Sequence, residues 1–172
     1  MIGVSKLNTL VVELCPDGVE VVQLCDVLNI RNGKDYKCFS DGNIPVYGSG
    51  GIIAYIDTFA CDKPSVLIPR KGSLNNLYYV YMPCWTVDTI FWTDIKCDIV
   101  LPKFVFYYLQ MQHLEDLNMA GGVPSLTQTI LNKIEFPLPP LPIQREIVRI
   151  LDNFTELTVE LTVELTAELT AR

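Results

Sequence analysis

From Thr158 the chain repeats every four residues, as Thr158-Val159-Glu160-Leu161, Thr162-Val163-Glu164-Leu165 and Thr166-Ala167-Glu168-Leu169. No glycine or proline interrupts this run, so it reads as helix. At about 100° per residue, a four-residue step turns about 400°, and a leucine row drifts by only about 40° per repeat. Leu157, Leu161, Leu165 and Leu169 therefore share one side. The apolar side extends back through Ile143, Ile147, Ile150, Leu151 and Phe154. A stripe with so little core of its own needs a second helix to cover it. Ile147, Ile150, Leu151, Phe154 and the four leucines are the expected helix-pairing residues.

Pro137-Leu138-Pro139-Pro140-Leu141-Pro142 is a stiff, extended stretch with few backbone donors, and Pro142 is well placed to open a helix. The predicted division is thus a domain over 1–142 followed by a helix over 143–172. Val4–Leu14 reads as a short amphipathic helix, stopped by Pro16-Asp17-Gly18. Val19–Ile30 offers β-branched residues for a strand, with Leu24–Val27 as a bend or helical turn. From Ile44 to Phe91 the texture is β. Strand-length runs are Pro45–Tyr47, Ile52–Ile56, Ser65–Ile68, Leu77–Tyr81 and Thr86–Phe91, separated by turn clusters such as Gly48-Ser49-Gly50-Gly51 and Lys71-Gly72-Ser73. Pro102–Leu117 has helical spacing and Gly121-Gly122-Val123-Pro124 breaks it. Ser125–Leu131 looks like a short capped helix, and Lys133–Phe136 like a last strand. The fold class is α+β: a mixed, β-rich domain followed by a long C-terminal helix.

Hydrophobic residues make up 49% of the 172, which excludes disorder as a description of the whole. No run approaches the ~18 apolar residues of a membrane helix. Met1–Leu14 lacks a basic head followed by a long apolar run, so no secretory signal is read and a cytoplasmic, non-membrane protein is expected. Six cysteines are present, Cys15, Cys25, Cys38, Cys61, Cys84 and Cys97. None is paired at C-x-x-C spacing and the one histidine is His113, so no metal site is expected; the cysteines read as reduced, small apolar core residues. The one Pro-Pro, Pro139-Pro140, is flanked by Leu138 and Leu141, with no polar atom to hold a base amino group. No catalytic residue or cofactor of this chain's own is expected.

Three further stretches carry a resemblance: Leu14-Cys15-Pro16-Asp17-Gly18-Val19-Glu20, Ile44-Pro45-Val46-Tyr47-Gly48-Ser49-Gly50-Gly51 and Leu67-Ile68-Pro69-Arg70-Lys71-Gly72-Ser73. With the more specific Ile134–Val148 segment and the Thr-Ala-Glu-Leu repeat, the chain resembles one half of the specificity subunit of Type I restriction–modification enzymes. The resemblance implies a target recognition domain that reads double-stranded DNA and a conserved helix that pairs as an antiparallel coiled coil. It implies no bond-making here: a partner methyltransferase uses S-adenosylmethionine, and a restriction/translocase subunit is a further partner. Family members usually carry two recognition domains. One domain and one helix imply a homodimer reading a bipartite target, or assembly with another half.

The formal charge of −7, from 13 Lys+Arg against 20 Asp+Glu, runs against a DNA binder. Its distribution softens this. The acids Asp152, Glu156, Glu160, Glu164 and Glu168 crowd the C-terminal helix, while Arg31–Asn76 is mildly basic. On that reading Lys34, Lys37 and Lys71 hold phosphates, while Arg70, Asn75 and Asn76 face base edges, since guanidinium and amide groups pair bidentately with G and A. Tyr36 and Tyr47 pack on sugars, and Ser49 and Ser73 sit in glycine turns close to the backbone. Trp85 and Trp92 read as core. The rival reading is a half-subunit that binds the methyltransferase and alters or blocks its specificity without productive DNA reading.

Overall fold

The computed structural model describes residues 5–117 and 125–170, with side chains described as far as 167. The Gly121–Pro124 break and the side chain of Leu169 lie outside the described residues. The chain divides into two compact units, one of Val19–Leu138 and one joining Met1–Gly18 to Pro139–Arg172. The first helix is thus grouped with the last, whereas a cut near Pro142 leaves it with the β-rich domain. Local sequence cannot reveal such a grouping, because it is made by residues more than a hundred positions apart.

The larger unit opens with β1 (Val21–Gln23), the single turn α2 (Leu24–Val27) and β2 (Leu28–Asn32). The Asp26 carboxylate accepts the Gln23 N–H at 2.8 Å, capping the turn and fixing the bend. There follow β3 (Asp41–Gly48), β4 (Gly51–Ile56), β5 (Ser65–Pro69), β6 (Tyr78–Val80), β7 (Trp85–Thr86), β8 (Ile90–Ile95), α3 (Pro102–Gln110), α4 (Gln128–Asn132) and β9 (Glu135–Pro137). Among the described residues these strands form three sheets, in the orders β2-β8-β5-β6, β4-β3-β7 and β1-β9. All pairings are antiparallel except β3 with β7. Every residue of β5 is buried, as expected of an interior strand covered on both faces. In β2 the pattern alternates, with Leu28 and Ile30 inward and Asn29 and Arg31 outward.

Two expected elements are divided. Thr86–Phe91 is the end of β7 and the start of β8, separated by a turn in which Ile90 N–H bonds to Val87 O at 3.1 Å. Pro102–Leu117 is helical only to Gln110; His113 then adopts φ 44° before a 3-10 turn at Leu114–Leu117. The left-handed backbone stops a helix that apolar spacing alone would continue. At α4 the cap is Thr127, whose Oγ1 accepts the Ile130 N–H at 3.3 Å. Of the cysteines, Cys61 and Cys84 are buried, but Cys38 and Cys97 are exposed; all six are free thiols.

The smaller unit contains α1 (Lys6–Leu14) and α5 (Leu141–Thr170). Ser5 caps α1 by accepting the Asn8 N–H at 3.2 Å. Lys6 Nζ lies 3.0 Å and Arg149 Nη2 2.6 Å from the Glu146 carboxylate. Along α5, Ile147, Ile150 and Leu151 are half-buried, while Phe154, Leu157, Leu161 and Leu165 are each more than half exposed. Thr158, Thr162 and Thr166 donate their hydroxyls to the carbonyls of Phe154, Thr158 and Thr162 at 2.7 Å. With those hydroxyls turned onto the helix's own backbone, the threonines present chiefly their methyl groups and widen the apolar stripe. Among the described residues no helix is long and apolar enough to cross a membrane.

Candidate nucleic-acid interface

The turn between β7 and β8, Val87–Thr89, gathers three loops that sequence alone leaves unconnected. On one side Lys34 N–H donates to Thr86 O at 2.8 Å. A Cβ on Gly33 would meet Val87 O at 2.0 Å, so only glycine lets that loop approach so closely. From β3, Tyr47 O accepts the Val87 N–H at 3.0 Å, and Ser49 N–H reaches Thr89 Oγ1 at 3.3 Å. From the end of β5, Arg70 N–H donates to Thr89 O at 2.9 Å. A Cβ on Gly72, which adopts φ 81°, would stand 3.8 Å from Ser49 Oγ, in ordinary contact. Lys34, Ser49, Arg70, Lys71 and Ser73 are thereby carried by three loops anchored on or beside one turn.

The remaining candidates sit differently. Lys37 is exposed beyond Asp35, whose carboxylate accepts its N–H at 3.3 Å. Tyr36 is half-buried against Val46, Ile56 and Trp85. The Tyr47 ring lies 5.7 Å from that of Tyr78, and the Tyr78 hydroxyl donates to Ser49 O at 3.2 Å. Burial pushes the Tyr47 phenol above its ordinary pKa, so it stays a neutral donor. Asn75 lines a hollow beside the 3-10 turn with Leu114 and Glu115. Asn76 is exposed, with its N–H on Ser73 O at 3.2 Å.

Arg70 is not a free surface cation. Its Cζ lies 5.6 Å from the centroid of the Phe91 ring. Its Nε is buried without a protein partner; among the described residues the Thr86 hydroxyl is the other such atom. A guanidinium lying over a ring, with its Nε buried, is held more firmly than a mobile surface charge. Lys71 beside it is exposed and pairs in a bridge with Ser125.

Sequence reasoning missed the cleft beside Lys34. It measures about 560 Å³ and is lined by Arg31, Asn32, Lys34, Trp85, Trp92 and Asp94, among others. Trp85 is nearly buried, its Nε1 donating to Lys34 O at 2.9 Å, whereas Trp92 is only partly buried. Arg31 and Asp94 approach to 3.7 Å, and the Gln128 amide donates to Asn32 Oδ1 at 3.3 Å. The one signal in the sequence was Arg31-Asn32-Gly33-Lys34, four residues rich in donors at a strand end.

The chain thus joins a β-rich unit whose donor-bearing loops meet at one turn to a long helix with an exposed apolar row. The family described as the Type I restriction modification DNA specificity domain matches residues 16–171, and the chain belongs to it. It is 35% identical over 165 residues to a Haemophilus influenzae protein named as a type I restriction enzyme specificity subunit, covering 89% of this chain and 42% of that protein. A Mycoplasma pneumoniae protein named as a type I specificity subunit is 25% identical over 146 residues, covering 80% of this chain and 61% of its own length. The chain thus spans less than two thirds of the length of each of these relatives.

Solved structures share the fold. The S subunit of a type I restriction–modification system from M. genitalium superposes with a TM-score of 0.72 at 21% identity, over 94% of this chain and 46% of that one. The HsdS subunit of Thermoanaerobacter tengcongensis gives 0.68 at 20% identity, over 90% and 44%.

Proposed function

We propose that the chain is a non-catalytic DNA-reading component that directs a partner adenine methyltransferase, and with it a nuclease subunit, to a bipartite target in the cytoplasm. The observation that carries this reading is the uncovered row Phe154, Leu157, Leu161 and Leu165 on α5, on a chain of this family. Water-exposed apolar rows of this length are stabilised by a second helix. In the proposed assembly that helix belongs to a second copy, antiparallel to the first. Two-fold symmetry then gives two heads and an interrupted, palindromic target. Each four-residue repeat adds about 6 Å of helix, close to the rise of two base pairs, so repeat number would set the spacing between half-sites. S-adenosylmethionine belongs to the methyltransferase in this scheme.

In each head, Lys34, Lys37 and Lys71 are assigned to phosphates, while Arg70, Asn75 and Asn76 are assigned to base edges. Tyr36 and Tyr47 are assigned to sugars, and Ser49 and Ser73 to close approach of the DNA backbone. The Phe91 stack favours Arg70 for a directional contact, because a planar guanidinium held in place pairs bidentately at little entropic cost.

The test is co-expression with the cognate methyltransferase, followed by mapping of methylated adenines. Methylation at one interrupted palindrome is expected. R70E and K71E should abolish DNA protection while leaving the methyltransferase bound. Normal DNA binding by both variants would overturn the assigned face. The charge of −7 favours a second reading, in which the chain occupies the methyltransferase without productive DNA contact. That reading predicts complex formation with no protected DNA.

A further inference from the structure

Cys61 and Cys84 face one another across an antiparallel bridge outside the named strands. They exchange both backbone bonds, Cys61 N–H to Cys84 O at 3.1 Å and Cys84 N–H to Cys61 O at 2.8 Å. Residues paired in this way keep their Cα atoms about 5.5 Å apart, inside the ~4.4–6.8 Å that a disulfide spans. Both are buried among Leu67, Val80 and Ile90. Burial does not seal Cys61 completely, since it lines a cleft of about 170 Å³ with Asp62, Lys63 and Trp92. Cys61 Sγ also donates to Lys63 O at 3.3 Å. Cys38 and Cys97, by contrast, are exposed.

We propose that Cys61 and Cys84 form a thiol–disulfide exchange site whose co-reactant is a low-molecular-weight disulfide of the glutathione class. The Cys61 thiolate attacks one sulfur of R–S–S–R, the S–S bond breaks, and the departing R–S⁻ takes up the proton Cys61 had given up. Cys84 then attacks the Cys61 sulfur of the mixed disulfide, and its proton goes to the second departing R–S⁻. The pair loses two electrons and two protons, and one R–S–S–R becomes two R–SH.

The order of attack follows from the thiols' surroundings. The neighbouring Cys84 thiol holds the Cys61 thiol below its ordinary pKa, and the same pairing, with burial, raises Cys84. Cys61, which lines the cleft with Asp62 and Lys63, is therefore the thiolate that starts the exchange, and its capture removes the pairing that raised Cys84.

The bridge would be felt beyond the pair. Ala60 and Trp85, the neighbours of the two cysteines, both line the cleft at Lys34, and Ala60 N–H is bonded to Cys84 O at 2.9 Å. An effect on DNA affinity follows only if that cleft belongs to the DNA-reading edge proposed above, so exchange and affinity need separate readouts.

The full chain is treated with oxidised glutathione at neutral pH, digested without reduction and mapped by mass. Peptides bearing Cys61 and Cys84 should be recovered crosslinked in most chains, lighter by two hydrogens, while Cys38 and Cys97 carry glutathione adducts. In C84A the reaction should stop at an adduct on Cys61. Should C84A not fold, the unsubstituted chain decides alone: recovery of both thiols free, or of Cys61 only as an adduct, overturns the site. DNA affinity, measured by gel shift, should change by about fivefold or more between reduced and bridged forms. A complete crosslink with unchanged affinity overturns the link to the cleft. A reduced chain that protects no DNA overturns the DNA-reading assignment instead and leaves the exchange chemistry standing.

Discussion

Ser65 and Thr93 clasp each other where the β5–β8 ladder lacks its rungs. Those strands pair only at Ile68 with Phe91 and Pro69 with Ile90. Further along, Ser65 Oγ donates to Thr93 O at 2.9 Å and accepts the Thr93 N–H at 3.0 Å. Thr93 Oγ1 accepts the Val66 N–H at 2.9 Å and donates to Val66 O at 3.0 Å. Both residues are buried, so these hydroxyls satisfy backbone groups that water cannot reach.

T93V keeps the shape and removes the hydroxyl, stranding the Val66 N–H and carbonyl. The expected cost is about 1–3 kcal/mol, read as a lower urea midpoint with an unchanged m-value. S65A should cost about as much. The double variant should cost less than the sum, since the pair acts as one network. Strict additivity would show that the two hydroxyls work independently.

Gly33 and Gly50 both lie in loops between strands, yet their substitution should have opposite outcomes. An alanine Cβ at position 33 would meet the Val87 carbonyl oxygen at 2.0 Å and its carbon at 2.4 Å, whereas at Gly50 nothing lies within 4 Å. Backbone cannot give way as a flexible side chain can. G33A should therefore lose about 3 kcal/mol and displace the Lys34 loop from the β7–β8 turn. G50A should stay within about 0.5 kcal/mol of the parent. Thermal denaturation of the two variants side by side checks this, and equal losses would contradict the close approach.

What the sequence made legible was whatever a few neighbouring residues decide. The all-apolar Val66-Leu67-Ile68 run marks a buried strand, Gly48–Gly51 a turn between β3 and β4, and Pro142 and the leucine row a long helix. The rest is made by distant partners. Nothing local shows that Val87–Thr89 is the turn on which Lys34, Ser49 and Arg70 converge. Nor does the sequence show that the Arg70 guanidinium lies over Phe91, or that Asn75 shares a hollow with Glu115. A residue type suited to DNA contact can be read from a string; its freedom to make that contact cannot.

Glu146 makes the smaller unit sensitive to acid. Its side chain is only 3% exposed, with Arg149 Nη2 at 2.6 Å and Lys6 Nζ at 3.0 Å. Those hydrogen bonds, Arg149's first and Lys6's second, hold its carboxyl down to about 2. An unfolded glutamate titrates near ~4.3, so the contribution is complete above about pH 5 and is lost as pH falls through the folded value. E146Q should be less stable than the parent at pH 7. The difference between the two should shrink steadily below about pH 4. A gap that stays constant down to pH 2.5 would show that the carboxylate charge is not what these cations stabilise.

The helix row can be tested without disturbing the helix. Leucine and glutamate have nearly equal helix propensity, so L161E and L165E should leave α5 folded while placing a charge at the centre of the uncovered stripe. If a second copy covers the row, each substitution enters the interface twice. Losing about 1.5–3 kcal/mol of burial per leucine would weaken self-association by at least about 100-fold. E160Q, on the flank of the row, should change association little. Sedimentation across micromolar concentrations separates the cases. A parent chain that sediments as a monomer throughout, or an L161E chain that associates as tightly as the parent, would mean that the leucines are covered by something other than a second copy.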